Sequence, residues 1–171
     1  MKTKEIGLFC FAIMPFVAGC ASTPTALSPV GPLPGNRVAA AKDSQGYLQV
    51  FSATEKSLPV ASDDPYTFNL HSGYDINDDS GKAVRFVPNH ASSMDEWPDQ
   101  VTLPAGNYNI VAESTWCGQV TVPVVIQKGK TTVVHLDDNW WPPSNTPANQ
   151  LVCLPNGEAV GWSGLFSKSA D

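Results

Sequence analysis

The side chains in this 171-residue chain that could do chemistry are few and dispersed. His71, His90 and His135 could act as general bases or zinc ligands, because imidazole titrates near neutrality and binds metal through its ring nitrogens. Alternation puts His71 and His135 on outward strand faces and His90 in a loop, the usual setting of surface or hydrogen-bonded histidines. No Gly-x-Ser-x-Gly window marks a nucleophilic serine, so a hydrolase ranks last among the readings. Asp75-Ile76-Asn77-Asp78-Asp79-Ser80-Gly81 places oxygen ligands at alternate positions, as a calcium loop does, with Asp75, Asn77 and Asp79 as the ligands. The glycine comes one place late, however, and Phe86 stands where the twelfth-position glutamate belongs. The same residues suit a hairpin end. No cofactor is implied.

Tryptophan is the other conspicuous type: Trp97, Trp116, Trp140, Trp141 and Trp162 fall in loops or near strand ends. Exposed, Trp97, Trp140 and Trp141 would stack on sugar rings or anchor a protein partner. The competing reading, preferred on sequence, is that the indoles plug the ends of the fold, with Trp140-Trp141-Pro142-Pro143 holding the tail down over the core.

The elements that must position these residues are strands. From Val101 to Asp137 the chain shows three alternating apolar runs separated by Pro, Gly and Lys, the signature of half-buried β-strands. Tyr108, Ile110 and Ala112 share one face; Val120, Val122, Val124 and Ile126 share the next; Thr132, Val134 and Leu136 share the third. These faces need a lid, which the rest of the chain must supply as a second sheet. Further strands are expected at Gly46–Ala53, at Tyr66–His71, at Tyr74 and Ile76 turning through Asp78–Lys82 into Ala83–Val87, and in a hairpin of Leu151–Leu154 with Ala159–Trp162. Pro123 cannot donate to a ladder, so its strand should be an edge or carry a bulge. Fifteen Pro and thirteen Gly against 15% charged residues fit many short strands and turns. The fold class expected is therefore all-β and antiparallel.

Met1–Glu5 carries two lysines and Ile6–Phe16 is an apolar run, long enough for a secretory signal and too short to span a bilayer. The following Val17-Ala18-Gly19-Cys20 resembles the bacterial lipoprotein signal, in which the cysteine is acylated and becomes the new first residue. That resemblance implies a signal peptide over residues 1–19 and a diacylglycerol plus an amide-linked, palmitate-type chain on Cys20. With each buried methylene worth about 0.8 kcal/mol, several chains together make a stable anchor. Ala21, where aspartate would mark retention at the inner membrane, points to the outer membrane as the address in the cell envelope. Residues 20–45, with Pro24, Pro29, Pro32 and Pro34 and no apolar periodicity, read as a tether.

Removing the first nineteen residues takes Lys2, Lys4 and Glu5, leaving eight basic and fifteen acidic side chains and a net charge of minus seven. That field, with no basic cluster to offset it, excludes nucleic acid and disfavours anionic lipid surfaces. Cys10 leaves with the signal and Cys20 is used by lipid, so Cys117 and Cys153 remain. In an oxidising envelope they are expected to pair, closing a loop of about 36 residues worth about 3 to 4 kcal/mol. Two buried free thiols are the alternative, and a metal site lacks ligands.

Gly46-Tyr47-Leu48-Gln49-Val50, Leu103-Pro104-Ala105-Gly106-Asn107-Tyr108 and Val122-Pro123-Val124-Val125-Ile126 followed by Gly129-Lys130-Thr131-Thr132 together resemble a transthyretin-like domain. The relatives in question are the carboxypeptidase regulatory-like and PEGA-type modules of bacterial envelope proteins. The resemblance covers residues 46–137 and implies an antiparallel seven-stranded β-sandwich of prealbumin or Ig-like type. It also implies a module that binds, spaces or displays and has no catalytic residues. Residues 138–171 lie outside it and form a Trp/Pro-rich tail with a β-hairpin. The resulting expectation is a lipid-anchored, non-enzymatic envelope protein that binds an envelope protein or glycan, with a carbohydrate-binding accessory module as the alternative.

Overall fold

The computed structural model describes residues 27–35, 44–56, 68–92 and 94–165. The signal segment, Cys20 and the start of the strand expected at Tyr66 lie outside them. The described chain is all-β, with one 3-10 turn at Ala148–Gln150 and no α-helix among the described residues. None of its helices is long and apolar enough to cross a membrane.

Two sheets carry the core. One holds β1 (Gln45–Phe51) between β6 (Gln100–Pro104) and β9 (Thr131–His135). The other runs β5 (Ala83–Val87), β4 (Tyr74–Asp78), β7 (Gly106–Ser114), β8 (Gly118–Ile126). Their inward faces join in one apolar cluster: Leu48 and Val50 from β1, Val101 and Leu103 from β6, Val134 and Leu136 from and just after β9, then Tyr74, Ile76, Ile110, Ala112, Val122, Val124 and Ile126 from the second sheet. The arrangement is consistent with a β-sandwich. The three faces read from the alternation are those the core uses.

The structure corrects the strand plan in three ways. The stretch from Val101 to Asp137 makes four strands, because the Pro104-Ala105-Gly106 corner carries the chain from one sheet to the other, where Ala105 N donates to Ser44 O. That stretch thus supplies part of its own lid. Pairing is not wholly antiparallel: β1 and β9 run parallel, Leu48 opposite Thr132 and Val50 opposite Val134. Eleven strands are present among the described residues. Seven belong to the two larger sheets, and the other four form the pairs β2 (Thr54–Lys56) with β3 (Asn69–His71) and β10 (Leu151–Cys153) with β11 (Ala159–Trp162).

The core also crosses both expected boundaries of the 46–137 unit. Val30, placed on sequence in the tether, is fully buried. Val30 N donates to Pro123 O, Val125 N to Val30 O, Gly31 N to Trp162 O, Leu33 N to Thr131 O and Gly164 N to Pro29 O, so residues 29–33 are stitched between β8 and β11. Burying the Val30 side chain contributes roughly 1.5 to 2 kcal/mol. Polar, Pro-rich composition hid it, since a single valine has no periodicity to detect. Pro123 lies on the outer edge of β8, where its missing N–H costs no ladder bond with β7 and its carbonyl receives Val30. At the other boundary, Val152, Leu154 and Val160 of the tail belong to the same cluster. The hairpin and residues 29–33 close the edge of β9 that β1 leaves free, and four successive residues, Thr131 to Val134, are buried. Gly161 permits this approach: a Cβ there would meet Val30 Cγ1 at 2.6 Å and Val133 O at 2.9 Å.

Candidate functional site

The residues singled out for chemistry separate into two groups. The acidic loop is a hairpin end. Asp75 and Asn77 lie within β4, opposite Phe86 and Ala83 of β5, rather than in a loop. The turn is closed by Asp78, whose Oδ1 accepts from Ser80 Oγ (2.6 Å), Ser80 N (3.0 Å) and Lys82 N (3.0 Å). Those bonds, the Ser80 hydroxyl first, hold the Asp78 carboxyl below its ordinary pKa. Gly81 supplies the positive φ of 83° that the turn requires. No group of three or more His, Cys, Asp or Glu able to hold a metal occurs among the described residues. Asp75 and Asn77 are strand residues and the Asp78 cap shapes the turn that follows, so the stretch is built as a hairpin end. Cys117 and Cys153, expected to bridge, are free and exposed, the first in the turn after β7 and the second closing β10.

The aromatics converge. Phe51 at the end of β1 and His135 opposite it on β9 stack at 4.8 Å and 19°, and Trp140 stacks on the other side of His135 at 4.6 Å and 7°. Trp97 packs edge-on against Phe51 at 6.3 Å, and Trp162 edge-on against Trp140 at 6.3 Å. His71 meets Phe51 edge-on at 5.5 Å. The row runs across the outer face of the three-stranded sheet at one end and joins residues 51, 71, 97, 135, 140 and 162. Such contacts each contribute about 0.5 to 1.5 kcal/mol beyond burial.

Both outward histidines are corrected by this row. His71 is buried, and its Nδ1 donates to Ser52 O at 2.7 Å, which fixes the Nδ1–H tautomer because a carbonyl only accepts. His135 is half-buried between two rings. Burial pushes its pKa down to about 4, against the opposing pull of Asp137, so the ring is neutral at pH 7. His90 sits in the loop as expected, with Nδ1 buried and without a partner among the described residues.

The loop that delivers Trp97 is clamped from below. Asn89, fully buried with φ 69°, donates through Nδ2 to Val50 O (2.8 Å) and Ser52 Oγ (2.9 Å), while its Oδ1 accepts Asp99 N (3.2 Å). Gln49 Nε2 adds a bond to Pro98 O at 3.2 Å. Nothing in the sequence marked Asn89, because its partners lie 10 to 39 residues away.

Of the three candidate ligand contacts, Trp97 and Trp140 stand at either side of the Phe51–His135 pair, and Trp141 follows directly. The plug reading holds for Trp140 and Trp162, which are partly buried in the row. It fails for Trp97, Trp116 and Trp141, which are 71%, 68% and 81% exposed. A separate cleft of about 270 Å³ lies beside the N-terminal segment, lined by Pro29, Asp79, Asn107, Tyr108, Asn109 and Pro123 among others. Tyr108 there donates its hydroxyl to Pro104 O at 3.1 Å.

Comparison of the chain with protein-family models, curated proteins and solved structures gave no match.

Proposed function

We propose that this chain is a lipid-anchored, non-enzymatic protein of the bacterial cell envelope, whose transthyretin-like β body is a binding or structural module that makes contact through its aromatic end. The observation that carries the reading is the exposure of Trp97 and Trp141 beside a stacked Phe51–His135–Trp140 floor. Soluble proteins rarely leave such large apolar groups in water without a partner for them. The anchor rests on the Cys20 signal and on the acyl chains it would carry, and Ala21 favours the outer membrane. The non-enzymatic part rests on how the histidines are used: His71 is spent on a backbone carbonyl and His135 is held neutral between rings. The test is a mass spectrum of the protein extracted from envelopes, in which the first residue should be Cys20 bearing a diacylglycerol and an acyl chain. A free Cys20 at an internal position would defeat the reading.

A second reading, a carbohydrate-binding accessory module, draws on one arrangement. Gln49 and Gln100 face each other across β1 and β6 on the outer face that also carries Phe51, placing amides near the rings, as sugar recognition requires. Titration with envelope glycan fragments tests it, since stacking would shift or quench indole emission; unchanged emission eliminates it.

A further inference from the structure

The built-in N-terminal segment gives the chain a direction as it runs back towards the anchor. Val30 bridges Val124 in parallel and Ser163 antiparallel, and Pro32 bridges Thr132 antiparallel. Residues 29–33 therefore run with β8 and against β9. Followed backwards, the chain travels beside β8 towards Gly118, the end of the body that bears the turn of Thr115, Trp116 and Cys117. Leu27, three residues before Val30, has covered about 10 Å of the roughly 20 Å that separate Val124 from Gly118. Cys20 is seven residues further back, within about 25 Å of Leu27 even if the chain between is fully extended. A spacer reaching to residue 46 would have allowed roughly 90 Å. The attachment is short, and where the described chain begins, at Leu27, it is heading towards that end.

That end is the one with the exposed indoles. Thr115 N donates to Leu136 O and Leu136 N to Phe51 O, so the turn carrying Trp116 adjoins the Phe51–His135 row. Trp97 comes to it from the loop above Asn89, and Trp141 follows the stacked Trp140. Three connections distant in sequence thus present three largely exposed tryptophans at the end towards which the chain runs back from Val30 to Leu27.

We propose that the partner of this aromatic end is the bilayer that holds the Cys20 lipid, with Trp97, Trp116 and Trp141 seated in its headgroup layer. The inference rests on the anchor proposed above and names the partner of the same surface. Indole is suited to that layer, its ring taken up at the acyl boundary and its N–H left to headgroups and water. Three indoles alone would bind a membrane weakly. A short covalent link raises the local concentration of bilayer to about the millimolar range, so a weak contact is occupied much of the time. Electrostatics sets the kind of lipid. Asp95, Glu96, Asp137 and Asp138 lie on the connections of this end and Glu113 near the end of β7, offset in part by Lys56 of β2, while Lys82, Lys128 and Lys130 lie in turns at the opposite one beside Asp78 and Asp79. The contact therefore suits zwitterionic headgroups and weakens as anionic lipid is added.

The test uses the full acylated protein reconstituted into phosphatidylcholine vesicles, with and without bromine on the upper part of the acyl chains. Indole emission should be blue-shifted and quenched by the brominated lipid. Exchanging Trp97, Trp116 and Trp141 for Phe should leave a residual emission from Trp140 and Trp162 that bromine barely affects. Replacing part of the phosphatidylcholine by phosphatidylglycerol should reduce the quenching. Equal emission in brominated and plain vesicles, with the protein floating with them, overturns the docking but leaves the anchor intact. Failure to float, with an unmodified Cys20 in the mass spectrum, overturns both.

Discussion

The two ends of this β body are built by different means. At the end formed by the turns Asp78–Lys82 and Gln127–Lys130, side chains satisfy backbone groups two to four residues away, as Asp78 does for Ser80 and Lys82. At the other end the organising contacts join Phe51, Trp97, His135 and Trp140, and the loop above them hangs on Asn89. The side-chain bonds that shape the turns of the first end are local and polar, and those turns carry lysines. The second is assembled across the whole chain, is aromatic and acidic, and includes the direction of the N-terminal attachment. An end made of local turns tolerates change residue by residue, whereas the assembled end should fail as a unit.

The largest effect is expected where the attachment enters. Val30→Asp places an unpaired carboxylate in a fully buried site and should cost about 4 kcal/mol in urea unfolding of an unacylated Cys20→Ser chain. Exchange of Asp79, exposed in the opposite turn, should fall within about 0.5 kcal/mol. Equal effects at the two positions would erase the distinction between the ends.

Asn89→Ala should cost about 2 to 3 kcal/mol, since it strips partners from Val50 O and Asp99 N and leaves at φ 69° a residue that tolerates the left-handed region less well than asparagine. Asn89→Gly, which relieves the backbone but not the hydrogen bonds, should recover about 1 kcal/mol of that in the same assay. Both should release Trp97 from Phe51, read as a change in near-ultraviolet circular dichroism.

His135 gives the aromatic end a pH dependence. Its folded pKa of about 4 lies below the ordinary value near 6.5, so the folded state binds fewer protons than the unfolded chain. Its contribution is complete above about pH 6.5 and is lost as the pH falls towards 4, about 2 kcal/mol in all after allowance for the ring's partial exposure. His135→Phe keeps the stack and should flatten this part of the stability curve. A variant curve parallel to the original would contradict the assignment.

The smallest effects are expected where sequence had pointed to calcium and a disulfide. Millimolar calcium should leave the melting temperature unchanged, because Asp75 and Asn77 are strand residues and Asp78 is committed to its turn. Reductant should also leave it unchanged, and a thiol reagent should label Cys117 and Cys153 in the native protein. A reductant-sensitive melting temperature would restore the bridge.

What could be read in advance follows the same division. Period-two burial of Val122, Val124 and Ile126, the Gly81 turn and the edge position of Pro123 depend on neighbours in sequence, and alternation with turn chemistry exposes them. Val30 offered no such pattern: one buried valine among prolines looks like linker. Alternation put His71 and His135 on an outward face, but whether that face meets water depends on the loop carrying Trp97 and on the C-terminal hairpin, which pack there from distant parts of the chain. The parallel pairing of β1 with β9 was hidden for a similar reason, since strand faces fix burial but not the neighbour's direction.

Amide hydrogen exchange across residues 27–35 tests the central claim, that the N-terminal segment is part of the body and shortens the link to the anchor. The amides of Val30, Gly31 and Leu33 should exchange as slowly as those of Val122 and Val124 in β8. Exchange of those three at the rate of a free peptide, with β8 still protected, would contradict it.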